Sequence, residues 1–288
     1  MLRSWLAAAT ILGVAYSAPV WVWAGETRSV EDSRILDFIG GLNQARASRR
    51  YPDAPVFTRD EYLKALRGET IVRSAEAGGE RTMMLLQVSA IPAWKLWATF
   101  IDRDHYETTM QNIRESVNFS VGAEGFLTYM YTDPPVMFVQ DRQQVLESTA
   151  TARLWQISQK RIWEYTWHVP VDPAKIINEV VRKMPLEHIR ASDIDKAVIV
   201  PRNDSAWLFV LLPDGRTLME AASRNDLGGS IPRSMASGGG GDAMKKMLAR
   251  VAAWISHDFD RHFSQHEKLL GPDGQYALAS TLADLMPR

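Results

Sequence analysis

From Met244 the apolar residues Met244, Met247, Leu248, Val251, Trp254, Ile255 and Phe259 recur at intervals of three and four. That spacing places them on one face of a helix about four turns long, with Lys245, Lys246, Arg250 and Ser256 opposite. Asp242, after the run Gly238 to Gly241, is a good N-cap for it. A second helical period runs between Val30 and Arg50 through Ile35, Phe38, Ile39 and Leu42, weakened at Gly40-Gly41 and ended by Tyr51-Pro52 and Ala54-Pro55. Thr58 with Glu61 forms a capping box for a short helix that closes at Gly68. Pro92 opens another, with Trp94, Trp97, Phe100 and Ile101 on its apolar face. Residues 173 to 184, between two prolines, predict a short inserted helix, and 276 to 285 a short apolar one.

Between these helices the period changes to two. Strands are predicted at 69–76 and 81–90, joined by a turn at Ala77-Gly78-Gly79-Glu80. Further strands are predicted at 112–121, 125–132, 143–151, 153–158, 161–169, 194–200, 205–212 and 215–225. Gly122 to Gly125, Asp133-Pro134-Pro135 and Pro213-Asp214-Gly215 punctuate them. Strands joined by tight turns imply an antiparallel sheet, so the order helix, many strands, long helix predicts an α+β fold. The N-terminal helices are expected to pack outside the main sheet.

The first 24 residues read differently. Arg3 precedes a run from Ser4 to Ala24 without Asp, Glu, Lys or Arg, ending in Val22-Trp23-Ala24 before polar sequence begins at Gly25-Glu26. This is the layout of a cleaved signal peptide, with an uncleaved anchor as its alternative. There is no twin arginine, which points to the general secretory route. The expectation is export, to a bacterial periplasm. Cysteine is absent, so there is no disulfide staple, thiolate metal site or lipid-modified N-terminus. A hydrophobic content of 46% with 23% charged residues argues for a globular chain. A net charge of −1 gives no electrostatic footprint for nucleic acid.

Several local patterns, in order along the chain, resemble the START-like (SRPBCC, Bet v 1-like) superfamily, in particular bacterial polyketide cyclase/START-type proteins. Leu66-Arg67-Gly68-Glu69-Thr70-Ile71-Val72 resembles their opening strand, and Ala90-Ile91-Pro92-Ala93-Trp94-Lys95-Leu96-Trp97 their strand-to-helix step. Ile101-Asp102-Arg103-Asp104-His105-Tyr106 is similar to the turn that follows. Tyr131-Thr132-Asp133-Pro134-Pro135 and Gln140-Asp141-Arg142 resemble their proline turn and Asp-Arg step. Asn225 to Pro232 resembles the loop before the closing helix. The resemblance covers roughly residues 66 to 262. It departs at an insertion over 170–190 and at Ser237 to Gly241, which interrupts the approach to the closing helix. It implies a helix-grip fold, a curved antiparallel sheet around a long C-terminal helix with an apolar cavity. The chain then divides into a signal peptide (1–24), an N-terminal helical extension (25–65), a START-like domain (66–263) and a C-terminal tail (264–288).

In that setting the stripe Met244, Met247, Leu248, Val251, Trp254 and Ile255 is read as a cavity wall, the alternative being plain core. Trp163, Tyr165 and Trp167 alternate on one strand and Trp207 and Phe209 on another, able to line the cavity or to fill it. Tyr129 and Tyr131 join them as cavity candidates. Asp141 and Arg142 are candidates for contact with a polar headgroup, or else for a salt bridge that shapes the sheet. Asn225, Gly228, Gly229, Gly238 and Gly241 are lid or hinge candidates. His262 and His266 lie one turn apart near His257 and Asp258, but the spacing supplies no third and fourth ligand, so no metal is expected. No Gly-x-Ser-x-Gly, His-Glu-x-x-His or phosphate-binding glycine loop occurs, and Glu164, Glu220 and His168 are left as unranked acid/base candidates. The sequence thus points to a monomeric, cofactor-free binding or transfer protein for a lipid or other hydrophobic ligand, with transient membrane contact. The alternatives are a cyclase or hydrolase using the same cavity, and a structural module with a filled one.

Overall fold

The structure, a computed structural model, describes residues 24–49, 56–77, 80–122, 125–134, 139–229, 240–265 and 268–287. The residues before Ala24 that were read as a signal peptide, Gly238 and His266 therefore lie outside the described residues. Three helices come first, α1 (Ala24–Gly41), α2 (Asn43–Arg46) and α3 (Arg59–Leu66). Thr58 caps α3 through the expected box: its side chain accepts from Glu61 N at 3.2 Å, while Glu61 Oε2 accepts from Thr58 N at 2.7 Å.

Strands β1 (Ile71–Ala77) and β2 (Glu80–Ser89) follow, then α4 (Ala93–Ile101) and α5 (Tyr106–Thr109). The chain continues through β3 (Ile113–Val121), β4 (Gly125–Thr132), β5 (Arg142–Ala150), α6 (Ala152–Ile157) and β6 (Ile162–His168). After α7 (Pro173–Glu179), α8 (Ala191–Lys196) and the two-residue β7 (Val198–Ile199) come β8 (Arg202–Leu211) and β9 (Thr217–Asp226). The long helix α9 spans Gly240–His257 and is followed by the single turn α10 (Phe259–His262).

The sheet order is β1-β2-β9-β8-β6-β5-β4-β3, antiparallel along this path, with β7 beside β5 in parallel. The last long strand, β9, pairs with β2, and the helices α4 and α5 sit between β2 and β3 at the far edge. This is the helix-grip arrangement: an antiparallel sheet with a long C-terminal helix laid across one face.

Strand parity gives the sheet two apolar faces. The inner one carries Leu85, Trp163, Tyr165, Trp207, Phe209, Met219 and Ala221, packed with α4 and α9 in one core. Trp97 of α4 meets Trp163 edge-on at 5.7 Å and Phe209 at 6.2 Å, and Phe100 stacks on Trp207 at 4.5 Å. The outer face is covered in two halves. Met84, Leu86, Leu208, Val210 and Leu218 pack against α1 and α3 through Ile35, Ile39, Tyr62 and Leu66. Tyr129, Tyr131 and Val145 pack beneath the inserted segment through Ile177, Val181, Ile189 and Ile194. The insertion over 170–190 is therefore a lid on the outer face, away from the closing helix.

Three local readings change. Residues 153–158 fall largely in helix α6 instead of a strand, and within 194–200 the first three residues end α8 and only Val198–Ile199 join the sheet. Both are short apolar runs, in which neither the helical nor the strand period is decisive. The residues after 264 do not trail away: Leu269, Leu270, Ala279 and Leu282 enter the inner core, and Trp97 Nε1 donates to Leu270 O at 2.8 Å. There β10 (Lys268–Leu270) pairs with β11 (Tyr276–Leu278), and Ala279–Leu285 winds as a 3₁₀ helix where an α-helix was expected. Helix α9 begins two residues before Asp242, which sits in its first turn.

Candidate functional site

The inner face changes character along its strands. At one end Trp163, Phe209 and Met219 lie under α4, and Trp163 and Phe209 have no accessible surface. Tyr165, equally closed off, lies 6.2 Å from Trp97. These aromatics fill the space between sheet and helix at this end, and Trp207 is packed with them at 4% exposure.

Two residues further along each strand, the same face turns polar. Asn203 and Ser205 precede Trp207 on β8, Ser223 follows Ala221 on β9, Gln144 precedes Leu146 on β5, and Trp167 follows Tyr165 on β6. These side chains bond to one another. Trp167 Nε1 donates to Asn203 Oδ1 at 2.9 Å, and Asn203 Nδ2 donates to Gln144 Oε1 at 2.9 Å. Ser205 Oγ lies 3.3 Å from Asn203 Oδ1 and donates to Ser223 Oγ at 2.8 Å; Ser223 Oγ in turn donates to Asn225 Oδ1 at 2.9 Å. Gln144 and Ser205 are buried, whereas Trp167, Asn203 and Ser223 are half-buried. The result is a connected strip of amides and hydroxyls with an indole at one end.

Helix α9 lies diagonally over this face. It starts beside β1, where Gly241 rests against Val72, and by Arg250 it has reached α5, whose Thr108 carbonyl accepts from the guanidinium at 3.5 Å. Its stripe is unevenly buried. Leu248, Val251 and Ile255 are closed into the core at 6%, 1% and 7% exposure, while Met244 and Met247 nearer the N-terminus are half-buried. Trp254 turns toward Phe259 and Phe263 at the helix end. Half-buried Val72 and Met83 continue the uncovered apolar surface on β1 and β2. The face thus holds a packed aromatic end, and a partly open end with methionines above and hydrogen-bonding groups below.

Arg103, in the turn after α4, is 1% exposed and sits among these inner-face groups. Its Nε donates to Tyr165 Oη and its Nη1 to Met130 Sδ at 3.5 Å. Its guanidinium lies 4.7 Å from the Trp167 ring and 5.3 Å from that of Tyr165. Among the described residues no carboxylate comes within ion-pair distance of it. Its charge is held by aromatic faces and a phenol, and burial raises the Tyr165 pKa against the pull of Arg103.

Asp141 and Arg142, adjacent in sequence, part company. Asp141 accepts from Tyr131 Oη at 2.5 Å. Arg142 donates to the carbonyls of Leu227 at 3.1 Å and Gly228 at 3.4 Å, and to that of Gln140, so it clamps the loop after β9. Burial lowers its pKa, with Asp141 opposing. Gly228 and Gly229 have φ of 63° and 66°, and a Cβ on Gly228 would stand 3.0 Å from Pro201 Cδ. Glycine is required in this loop.

The other sequence candidates separate by face. Tyr129 and Tyr131 are corrected: they lie on the outer face, because Met130 between them takes the inner position. The same parity puts Glu164, Glu220 and His168 on the outer face. Glu220 is held there by Arg46 at 2.6 Å and by Tyr62 Oη at 3.0 Å, and His168 lies 3.3 Å from Glu147. Gln144, Asn203, Ser205 and Arg103 were missed by the sequence reading. The signal for the first three was present, since small polar residues occupy the inner parity of strands whose remaining inner positions are aromatic.

No family model matches the sequence, and no curated protein matches it. Among solved structures, the chain is similar to a fragment of a STAR-related lipid transfer protein from Xanthomonas axonopodis. The two are 17% identical with a TM-score of 0.48, over 65% of this chain and 93% of that one. It is also similar to human StAR-related lipid transfer protein 5 (10% identity, TM-score 0.42, covering 78% and 98%) and to the Zhui aromatase/cyclase of Streptomyces (11%, 0.36, covering 63% and 95%). At these values the likeness is one of chain path, and side-chain geometry alone bears on what the site does.

Proposed function

We propose that this chain is a non-enzymatic binding or transfer protein for a lipid or other amphiphile, held between the N-terminal half of α9 and the polar strip of the inner face. The observation that carries the reading is the pairing of half-buried Met244 and Met247 with the strip Trp167–Asn203–Gln144–Ser205–Ser223. Unbranched methionine side chains adapt to varied apolar shapes. Burying a ligand's chain against them supplies roughly 25 cal/mol per Å², and the indole, amides and hydroxyls fix its polar end. Arg103 beneath Trp167 makes that end positive, which favours an anionic or strongly polar head.

The placement of Glu164, Glu220 and His168 on the outer face supports binding over acid/base catalysis by these three groups. The leader-like first 24 residues support export, and with it carriage of the ligand through a periplasm by a monomer that meets the membrane only in passing. The reading is tested by titrating the purified protein with vesicles containing fluorescent phosphatidylglycerol or phosphatidylcholine, and following Trp-to-probe energy transfer. Saturable uptake that is weakened by Asn203→Ala is expected, because the strip loses its central member. Uptake indifferent to Asn203, Trp167 and Met247 substitutions would refute the site.

A further inference from the structure

The sequence set His262 against His266 and found no further ligands. The fold instead brings His262, in the turn after α9, to residues of the turn after α4. Its Nε2 lies 2.7 Å from Asp102 Oδ2, and His105 Nδ1 lies 2.9 Å from Oδ1 and 3.1 Å from Oδ2 of the same carboxylate. The two imidazoles stand edge-to-face, 4.4 Å between centroids. The three donor atoms all lie within 4.8 Å of one another. Asp102 is 4% exposed, while the His105 and His262 side chains are 33% and 18% exposed, so the cluster has a buried anion and a side open to water.

We propose that Asp102, His105 and His262 form a divalent-cation site, taking zinc or a metal of similar ligand preference, that ties the end of the closing helix to the helix beneath it. Two imidazole nitrogens and one carboxylate oxygen are a donor set suited to such metals, with a remaining position for water. In a tetrahedral zinc site neighbouring donors stand about 3.3 Å apart, given metal–ligand distances of about 2.0–2.1 Å. The two nitrogen–oxygen contacts need lengthen only by roughly half an ångström to reach that separation, and the two imidazole nitrogens, within 4.8 Å of each other, complete it by turning toward the same point. The surroundings are acidic as well: Asp104 and Glu107 both act electrostatically on His105. Neighbouring cations are turned to partners of their own, Lys95 to Asp260 at 2.8 Å and Arg261 to Asp258. A bound cation would draw together α4 and α9, the two elements that enclose the inner face.

The test uses tag-free protein, stripped with EDTA and titrated with zinc chloride by calorimetry, with cobalt(II) as an optical probe. One metal per chain is expected, with a rise in melting temperature and visible cobalt absorption of a four- or five-coordinate site. His262→Gln and His105→Gln should each weaken binding by at least about tenfold. His257→Gln, exposed on the last turn of α9, should leave it unchanged. If wild-type protein takes zinc no more tightly than the His262→Gln variant, or if no binding occurs, the cluster is a hydrogen-bonded clasp only and the proposal falls. His105→Gln lies at a partly exposed position, so it keeps the test decisive even if a variant at Asp102 does not fold.

Discussion

Charged and polar residues inside this protein divide into those that hold the fold and those that face the site. Arg46, Tyr62 and Glu220 belong to the first group. Burial opposes the charge on Arg46, but Glu220 and Tyr62 together outweigh it and raise the pKa, so the guanidinium stays charged; burial and Glu220 both raise that of Tyr62. Removing one partner strands a buried charge. Glu220→Gln is therefore expected to lower stability by about 3–5 kcal/mol, read by urea unfolding, with lipid uptake by the surviving folded protein unchanged. Trp167 belongs to the second group. Trp167→Ala should weaken uptake about tenfold, the equivalent of about 1.4 kcal/mol, while shifting stability far less than a packed tryptophan would. Sequence alone drew this line only in part. Alternation placed Trp163, Tyr165 and Trp167 on one face correctly, but not which would be closed off by Trp97. Tyr129 and Tyr131 failed because strand parity depends on register. Arg103 was invisible as a site residue, and His262 was weighed against His266 and not against Asp102, since their actual partners lie 62 and 160 positions away.

At the level of elements, α9 is two helices in function. Its C-terminal part is core, and Leu248→Ala should cost about 2–5 kcal/mol, as a large-to-small change in a packed interior does. Its N-terminal part is half-buried, and in the proposed function it is the part the ligand would cover. Met244→Ser with Met247→Ser is expected to leave the melting temperature within a few degrees of wild type and to reduce lipid uptake several-fold. Equal losses in stability from the two ends would contradict this division. The loop after β9 is the other element with a defined role, clamped by Arg142 and turned by two glycines in the left-handed region. Gly228→Ala should destabilise by about 1–2 kcal/mol, from backbone conformation alone, with more from the contact at Pro201. The period of α9 and the punctuation at Gly228 were both plain in the sequence. The uneven burial along the stripe was not legible there, because which turns of a helix touch the sheet is set by its crossing angle.

For the whole molecule, the sheet is covered on both faces but by segments of different standing. The outer face is sealed by the N-terminal helices and the insertion, so neither segment intrudes on the inner one. The inner face is sealed at its aromatic end, with the C-terminal residues helping to close it, and left half open at its polar end. The order of helices and strands made the layered architecture legible. The division of the inner face into a packed and a half-buried end was not, because it arises from packing between residues far apart in sequence. Native mass spectrometry of the protein purified from its native source, with the bound lipid identified after solvent extraction, tests the central claim most directly. One amphiphile per chain, retained through purification and lost in the Met244→Ser/Met247→Ser variant, is the predicted result. An empty wild-type protein that also declines anionic and zwitterionic lipids offered in vesicles would contradict it.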